Sequence, residues 1–139
     1  MVRFWCSDGS QWVGNFQGLQ DWSTKIVLWP EADSIAVIAM DNFYLVDASN
    51  PENYVIQESP GLVDDAILDD ERDLLFVLEP LRIHAYGRNR RLLWTRLDLG
   101  GYVARLEKCS EGGLTAEIEA ESGESKTLIR LSAKDGATL

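Results

Sequence analysis

A chain of 139 residues with 45% hydrophobic content has the length of one domain and enough apolar side chains for a sizeable core, which excludes a disordered protein. Its formal net charge of −10 repels polyanions, so neither nucleic acid nor an anionic membrane surface is expected among its partners. No apolar run approaches the roughly 18 residues of a membrane span.

The N-terminal stretch MVRFWCSDGSQWVG lacks the uninterrupted apolar segment of a signal peptide, so a cytoplasmic protein is expected. Four of the five tryptophans, Trp5, Trp12, Trp22 and Trp29, fall in the first 29 residues together with Phe4 and Phe16. Large flat rings bury much area at small entropic cost, so this cluster reads first as core of an opening sheet. Its other reading is a contact surface for a protein or a sugar, with Trp12 and Trp22 as the partner-binding residues. Cys6 and Cys109 are too few for a disulfide framework and lack zinc-ligand spacing, which makes them reduced thiols.

From residue 31 onward the chain repeats itself at about forty positions. Glu31-Ala-Asp-Ser-Ile-Ala-Val-Ile38 precedes Glu71-Arg-Asp-Leu-Leu-Phe-Val-Leu78 in that register, with Phe43 over Ile83 and Tyr54 over Trp94. Ile35 to Met40 and Leu74 to Leu78 are apolar at odd and even positions alike, as strands covered on both faces are. Arg82 to Tyr86 alternates, with Ile83 and Ala85 inward. Gly87-Arg88-Asn89-Arg90 reads as its turn, Gly and Asn supplying positive φ, and Arg91 to Leu97 as the return strand. A weaker third unit follows from Val103, with the turn Glu111-Gly112-Gly113, then Leu114 to Ala120 and Thr127 to Leu131. Leu114, Ala116, Ile118 and Ala120 face inward there, and Thr115, Glu117 and Glu119 face water.

No window of about eleven residues holds a 3.6-residue period, so the expected fold is all-β, a single β-repeat domain over residues 1–139. About three antiparallel, propeller-blade-like repeats of roughly 40 residues are expected, too few to close a ring of four to eight blades. The alternatives are an open or dimer-completed propeller and a sandwich-like stack. Phe4 to Phe16 would cap one end, and a bare apolar flank at the other predicts a homodimer.

The phrase Asp70-Glu-Arg-Asp-Leu-Leu-Phe-Val77, followed by Ile83-His-Ala-Tyr-Gly-Arg-Asn-Arg-Arg-Leu-Leu-Trp94, resembles a blade of the quinoprotein or WD-type propellers, without their Trp-Asp dipeptide or glycine-rich repeat close. A second resemblance covers roughly residues 12 to 136, through Trp12-Val-Gly-Asn-Phe16, Phe43-Tyr-Leu-Val-Asp47 with Pro51, Ala85-Tyr-Gly87, Leu93-Trp-Thr-Arg96 and Asp135-Gly136. It is to a group of small, uncharacterised, mostly bacterial proteins with β-propeller-like repeats. The resemblance implies one self-contained domain and carries no catalytic residue over.

Two charged stretches compete as sites. Arg82, Arg88, Arg90, Arg91, Arg96 and Arg105 are six of the thirteen basic residues. Arg88, Arg90 and Arg91 at a hairpin tip could grip a carboxylate or phosphate of a partner, or pair with carboxylates of their own chain. Asp64 to Asp73 carries six carboxylates but has Ile67 and Leu68 where a calcium loop must bend, so no metal is expected and Asp69 to Asp73 reads as the exposed turn before the buried strand. His84 is the single histidine, and no nucleophile elbow, paired metal-binding histidines or phosphate loop accompanies it. No enzyme activity and no cofactor are expected. The sequence therefore predicts a non-enzymatic binding or assembly module for an unknown protein partner, with a carbohydrate-binding or carbohydrate-active protein using the N-terminal aromatics as the alternative.

Overall fold

The computed structural model describes residues 1–17, 24–40, 42–56, 62–109 and 112–139; Trp22 lies outside them. They form thirteen strands in four antiparallel sheets of two to four strands, so the fold is all-β. A hairpin pairs β1 (Val2–Trp5) with β2 (Gln11–Gly14). The first four-stranded sheet runs in chain order through β3 (Thr24–Trp29), β4 (Ser34–Ala39), β5 (Asn42–Asp47) and β6 (Tyr54–Ile56). The second does the same with β7 (Asp65–Asp69), β8 (Leu74–Glu79), β9 (Arg82–Gly87) and β10 (Leu92–Arg96). Last comes a three-stranded sheet of β11 (Tyr102–Cys109), β12 (Gly113–Glu119) and β13 (Lys126–Ser132).

Side-chain alternation converts these sheets into layers. On β4, Ile35, Val37 and Ala39 face the hairpin and pack with Phe4, while Ala36 and Ile38 face the second four-stranded sheet and meet Leu75 and Val77. On β8 the other face, Phe76 and Leu78, packs against Leu114, Ala116 and Ile118 of β12. Three apolar cores thus join four layers in chain order. A strand lying between two cores must be apolar at every position, which is why the runs SIAVIA and LLFVL carry almost no polarity. The turn that leads into the second strand of each larger sheet has the same local geometry. Asp33, Asp73 and Gly112 all take positive φ, at 46°, 53° and 82°. Aspartate tolerates this left-handed region better than most residues, and glycine enters it without strain.

Several local expectations need correction. Strand β9 does not alternate between core and water: Ile83 and Ala85 face the three-stranded sheet, and Tyr86 is buried against the first four-stranded sheet. His84 sits on that second face and is also buried. The hairpin turn after β9 takes its positive φ from Arg90, at 61°, and not from Gly87 or Asn89. The turn expected at Asp69 to Asp73 begins one residue later, since Asp69 ends strand β7 (Asp65–Asp69) and its side chain is buried beside Arg72 Nη1 at 2.7 Å. The flank left by the last unit is not bare. The three-stranded sheet turns Thr115, Glu117 and Glu119 away from the core, with Lys126 and Glu117 paired at 2.6 Å. The segment Ala137–Leu139 adds a bridge between Thr138 and Leu131 along part of β13. Leu128 of β13 and Tyr102 of β11 are also exposed on this sheet.

Candidate binding site at the N-terminal aromatics

The hairpin is the layer where aromatic side chains outnumber what a core requires. Phe4 and Trp12 are cross-strand partners and stack with ring centroids 4.2 Å apart and planes 25° from parallel. Phe16 meets Phe4 edge-on at 6.4 Å and Tyr44 of β5 at 5.2 Å, so the rings run continuously from the hairpin onto the first four-stranded sheet. The Tyr44 hydroxyl donates to the Gln17 carbonyl at 2.5 Å, and the Asn42 side-chain amide donates to the same oxygen at 3.0 Å. These two bonds tie the segment after β2 to the sheet beneath it. Of the tryptophans expected in a first core, only Trp29 is fully buried among those described. Trp5 is 73% exposed, because β1 is an end layer with just one face to bury.

Two recesses flank Trp12. The larger, about 530 Å³, opens between the hairpin and the β3–β4 turn and is walled by Arg3, Trp5, Asp8, Trp12, Leu28 and Asp33. The smaller, about 220 Å³, lies toward β5 and β6 and is walled mainly by Trp12, Phe16, Val46, Pro51, Tyr44 and Tyr54. Trp12 contributes to both, and its indole N–H is buried without an acceptor among the described residues. A mostly apolar concavity with a few convergent polar groups is the usual form of a small-molecule site, and the larger recess has the usual volume.

No protein-family model matches the chain, and no curated protein is significantly similar to it. The site has to be judged on its own chemistry.

The hairpin-tip arginines divide by role. Arg90 reaches across to the first four-stranded sheet, donating to Asp47 Oδ2 at 2.9 Å and to Ser34 Oγ at 3.0 Å. It is a clasp between two layers, and Ser34 in turn lines the larger recess. Arg88 pairs with Asp73 at 2.6 Å on the surface, and that bond and charge raise its already high pKa. Arg91 is exposed. Among the described residues the tip is therefore one exposed guanidinium, Arg91, beside two internally paired ones, a weaker anion grip than three arginines would make. The charge balance of the sequence hinted at such pairing, but nothing in it marked Asp47 as the partner forty-three residues away.

Asp47 is the most heavily bonded carboxylate of the described chain. Its Oδ1 accepts from the Ser49 and Asn50 amides at 3.0 Å and from the Ser49 hydroxyl at 2.7 Å, while Oδ2 accepts from Asn53 and Arg90. Burial pushes this carboxyl up, but the bonds from Ser49 and Asn50 and the Arg90 charge outweigh it and hold the pKa below the ordinary aspartate value.

His84 is the other polar group held inside. Its Nδ1 lies 2.8 Å from Thr95 Oγ1 and its Nε2 3.2 Å from the buried Glu79 carboxylate. Tyr86 on the same face has its pKa pushed up to about 12 by burial and, secondarily, by the Glu79 charge. A histidine between a threonine hydroxyl and a glutamate has the partners of a proton-transfer relay, but none of the three lines either recess around Trp12. Their arrangement is a buried polar cluster in which Thr95 answers Nδ1, while Nε2 lies at ion-pair distance from Glu79 without an aligned hydrogen bond. Among the described residues no group of three or more His, Cys, Asp or Glu is placed to hold a metal ion, and neither Cys6 nor Cys109 is in a disulfide. No helix of the described chain is long and apolar enough to cross a membrane.

Proposed function

We propose that this chain is a non-enzymatic binding module on a β-repeat scaffold, with its ligand held at the N-terminal aromatic site around Trp12. The observation that carries this reading is the placement of Trp12 as the shared wall of two recesses, with an indole N–H that no group among the described residues accepts. Stacked sheets supply a rigid base, and an end layer with one free face is where such a fold can present aromatic surface. The clasp of Arg90 on Ser34 and Asp47 supports the wall of the larger recess from behind.

Carbohydrate binding is the alternative, and one feature favours it: Trp5 stands largely exposed on the wall of the larger recess, beside Arg3 and Asp8. Against it, Trp12 has one ring face covered by Phe4, so the two indoles do not offer a pair of open stacking surfaces.

The test is a fragment titration followed by two-dimensional amide NMR, in which each of the five tryptophans contributes one indole signal. Fragments that bind should shift the Trp12 indole signal and the backbone amides of residues 3–16 and 44–54 before any others. Shifts confined to β7–β13 would place binding elsewhere and defeat the proposal, and a soluble neutral sugar that shifts Trp5 but not Trp12 would favour the carbohydrate alternative.

A further inference from the structure

We infer that the smaller recess is an aromatic cage for an alkylated ammonium cation, such as a quaternary ammonium headgroup or a methylated lysine side chain. This inference rests on the binding-module reading and names the ligand class of one part of that site. Four of its wall residues are aromatic: Trp12, Phe16, Tyr44 and Tyr54. Phe16 and Tyr44 are inclined by 64° with centroids 5.2 Å apart, so these two rings do not merge into one flat wall. The ring face carries the negative part of the aromatic quadrupole, and several such faces around one volume attract a cation whose methyl groups shed water at small cost.

Size and charge agree with that ligand. At about 220 Å³ the recess is smaller than the usual range for drug-sized ligands and has room for one branched headgroup. Among the described residues no charged side chain lines it, and the attraction they offer a cation there is that of the rings. A neutral or anionic ligand gains nothing from the molecule's net charge of −10, whereas a cation is drawn toward it. Glu52 adds an exposed carboxylate directly after Pro51, one of the wall residues.

Gly14 explains how the rings reach this arrangement. A Cβ built there would stand within 2.4 Å of the Phe16 ring and 3.2 Å of the Trp12 ring. Only a residue without a side chain lets both rings close over the backbone between them. Gly14→Ala must push the Phe16 ring out of its packing against Phe4 and Tyr44, and so displaces a wall of the cage.

The experiment compares choline with 3,3-dimethylbutan-1-ol, which replaces the ammonium by an uncharged carbon of the same shape, at matched ionic strength. Binding is read from the Trp12 indole signal and from tryptophan fluorescence. Choline should bind at least about tenfold more tightly than the alcohol, the factor expected for a cation–π contribution of one to two kcal/mol. Tyr54→Leu, on an exposed edge strand, should weaken choline binding about fivefold or more, and Tyr54→Phe should restore most of it. Equal affinity for the two ligands would overturn the cation assignment while leaving an aromatic binding site in place. No response to either would overturn the cage itself, and fragment shifts at the larger recess would then still decide the binding-module reading separately. Unaltered choline affinity in both Tyr54→Leu and Gly14→Ala would also overturn it, by placing the cation at another site.

Discussion

Phe76→Ala is expected to destabilise the protein by about 3–5 kcal/mol and to lower Tm by roughly 10–20 °C. Phe76 is fully buried on β8 and fills the space between the second four-stranded sheet and the three-stranded sheet, 5.9 Å from the Trp94 ring. Truncating it removes the transfer energy of the ring and leaves a cavity that the sheets on either side, each held by its own hydrogen-bond ladder, can close only in part. Leu128→Ala, on the exposed outer side of β13, is the internal comparison and should cost less than about 0.5 kcal/mol. Urea denaturation of both variants measures the difference. A loss below about 1 kcal/mol for Phe76→Ala would mean that β8 does not lie between two packed layers.

The second large effect is electrostatic. Asp47→Ala should cost about 2–4 kcal/mol, because it removes the acceptor of the turn amides after β5 and leaves the part-buried Arg90 without its carboxylate. The effect should depend on pH in a defined direction. The folded-state pKa of Asp47 is depressed, so its contribution is fully present above the unfolded value of about 3.9 and is lost as pH falls through the lower folded value. The stability gap between the wild-type chain and Asp47→Asn should therefore be wide near about pH 7 and narrow toward about pH 3. A gap that stays constant across that range would show that Asp47 acts through shape and not through its charge.

Much of the layered fold is legible in the sequence, for a physical reason. A strand between two cores has no polar face, so SIAVIA and LLFVL announce their position, and the alternating β12 announces an end layer with water on one side. Strand β9 was harder to read because its second face buries a histidine and a tyrosine, residues that a pattern of apolar letters assigns to water. His84 is held inside with Thr95 at Nδ1 and Glu79 at ion-pair distance from Nε2, and both neighbours are in place only once the strands are in register.

The site was legible in composition but not in arrangement. Clustered tryptophans pointed to the N-terminus, and Trp12 does wall both recesses, whereas Trp29 is core and Trp22 lies outside the described residues. Tyr44 and Tyr54 could not be joined to Trp12 from spacing alone, since they come from the next sheet and reach it only through layer packing. The arginine tip misled in the opposite way. Arg90 looks free in the sequence because its two partners, Ser34 and Asp47, belong to another sheet.

Native-state hydrogen exchange tests the central claim most directly, namely four stacked layers with the aromatic site on the end hairpin. Amides of β4, β8 and β9, covered on both faces, should be the slowest and should exchange only through global unfolding. Amides of β1 and β2, which bury one face through a smaller apolar cluster, should exchange faster through a local opening that leaves the other layers intact. Fast exchange in β4 or β8, or protection of the hairpin equal to theirs, would contradict the layered arrangement.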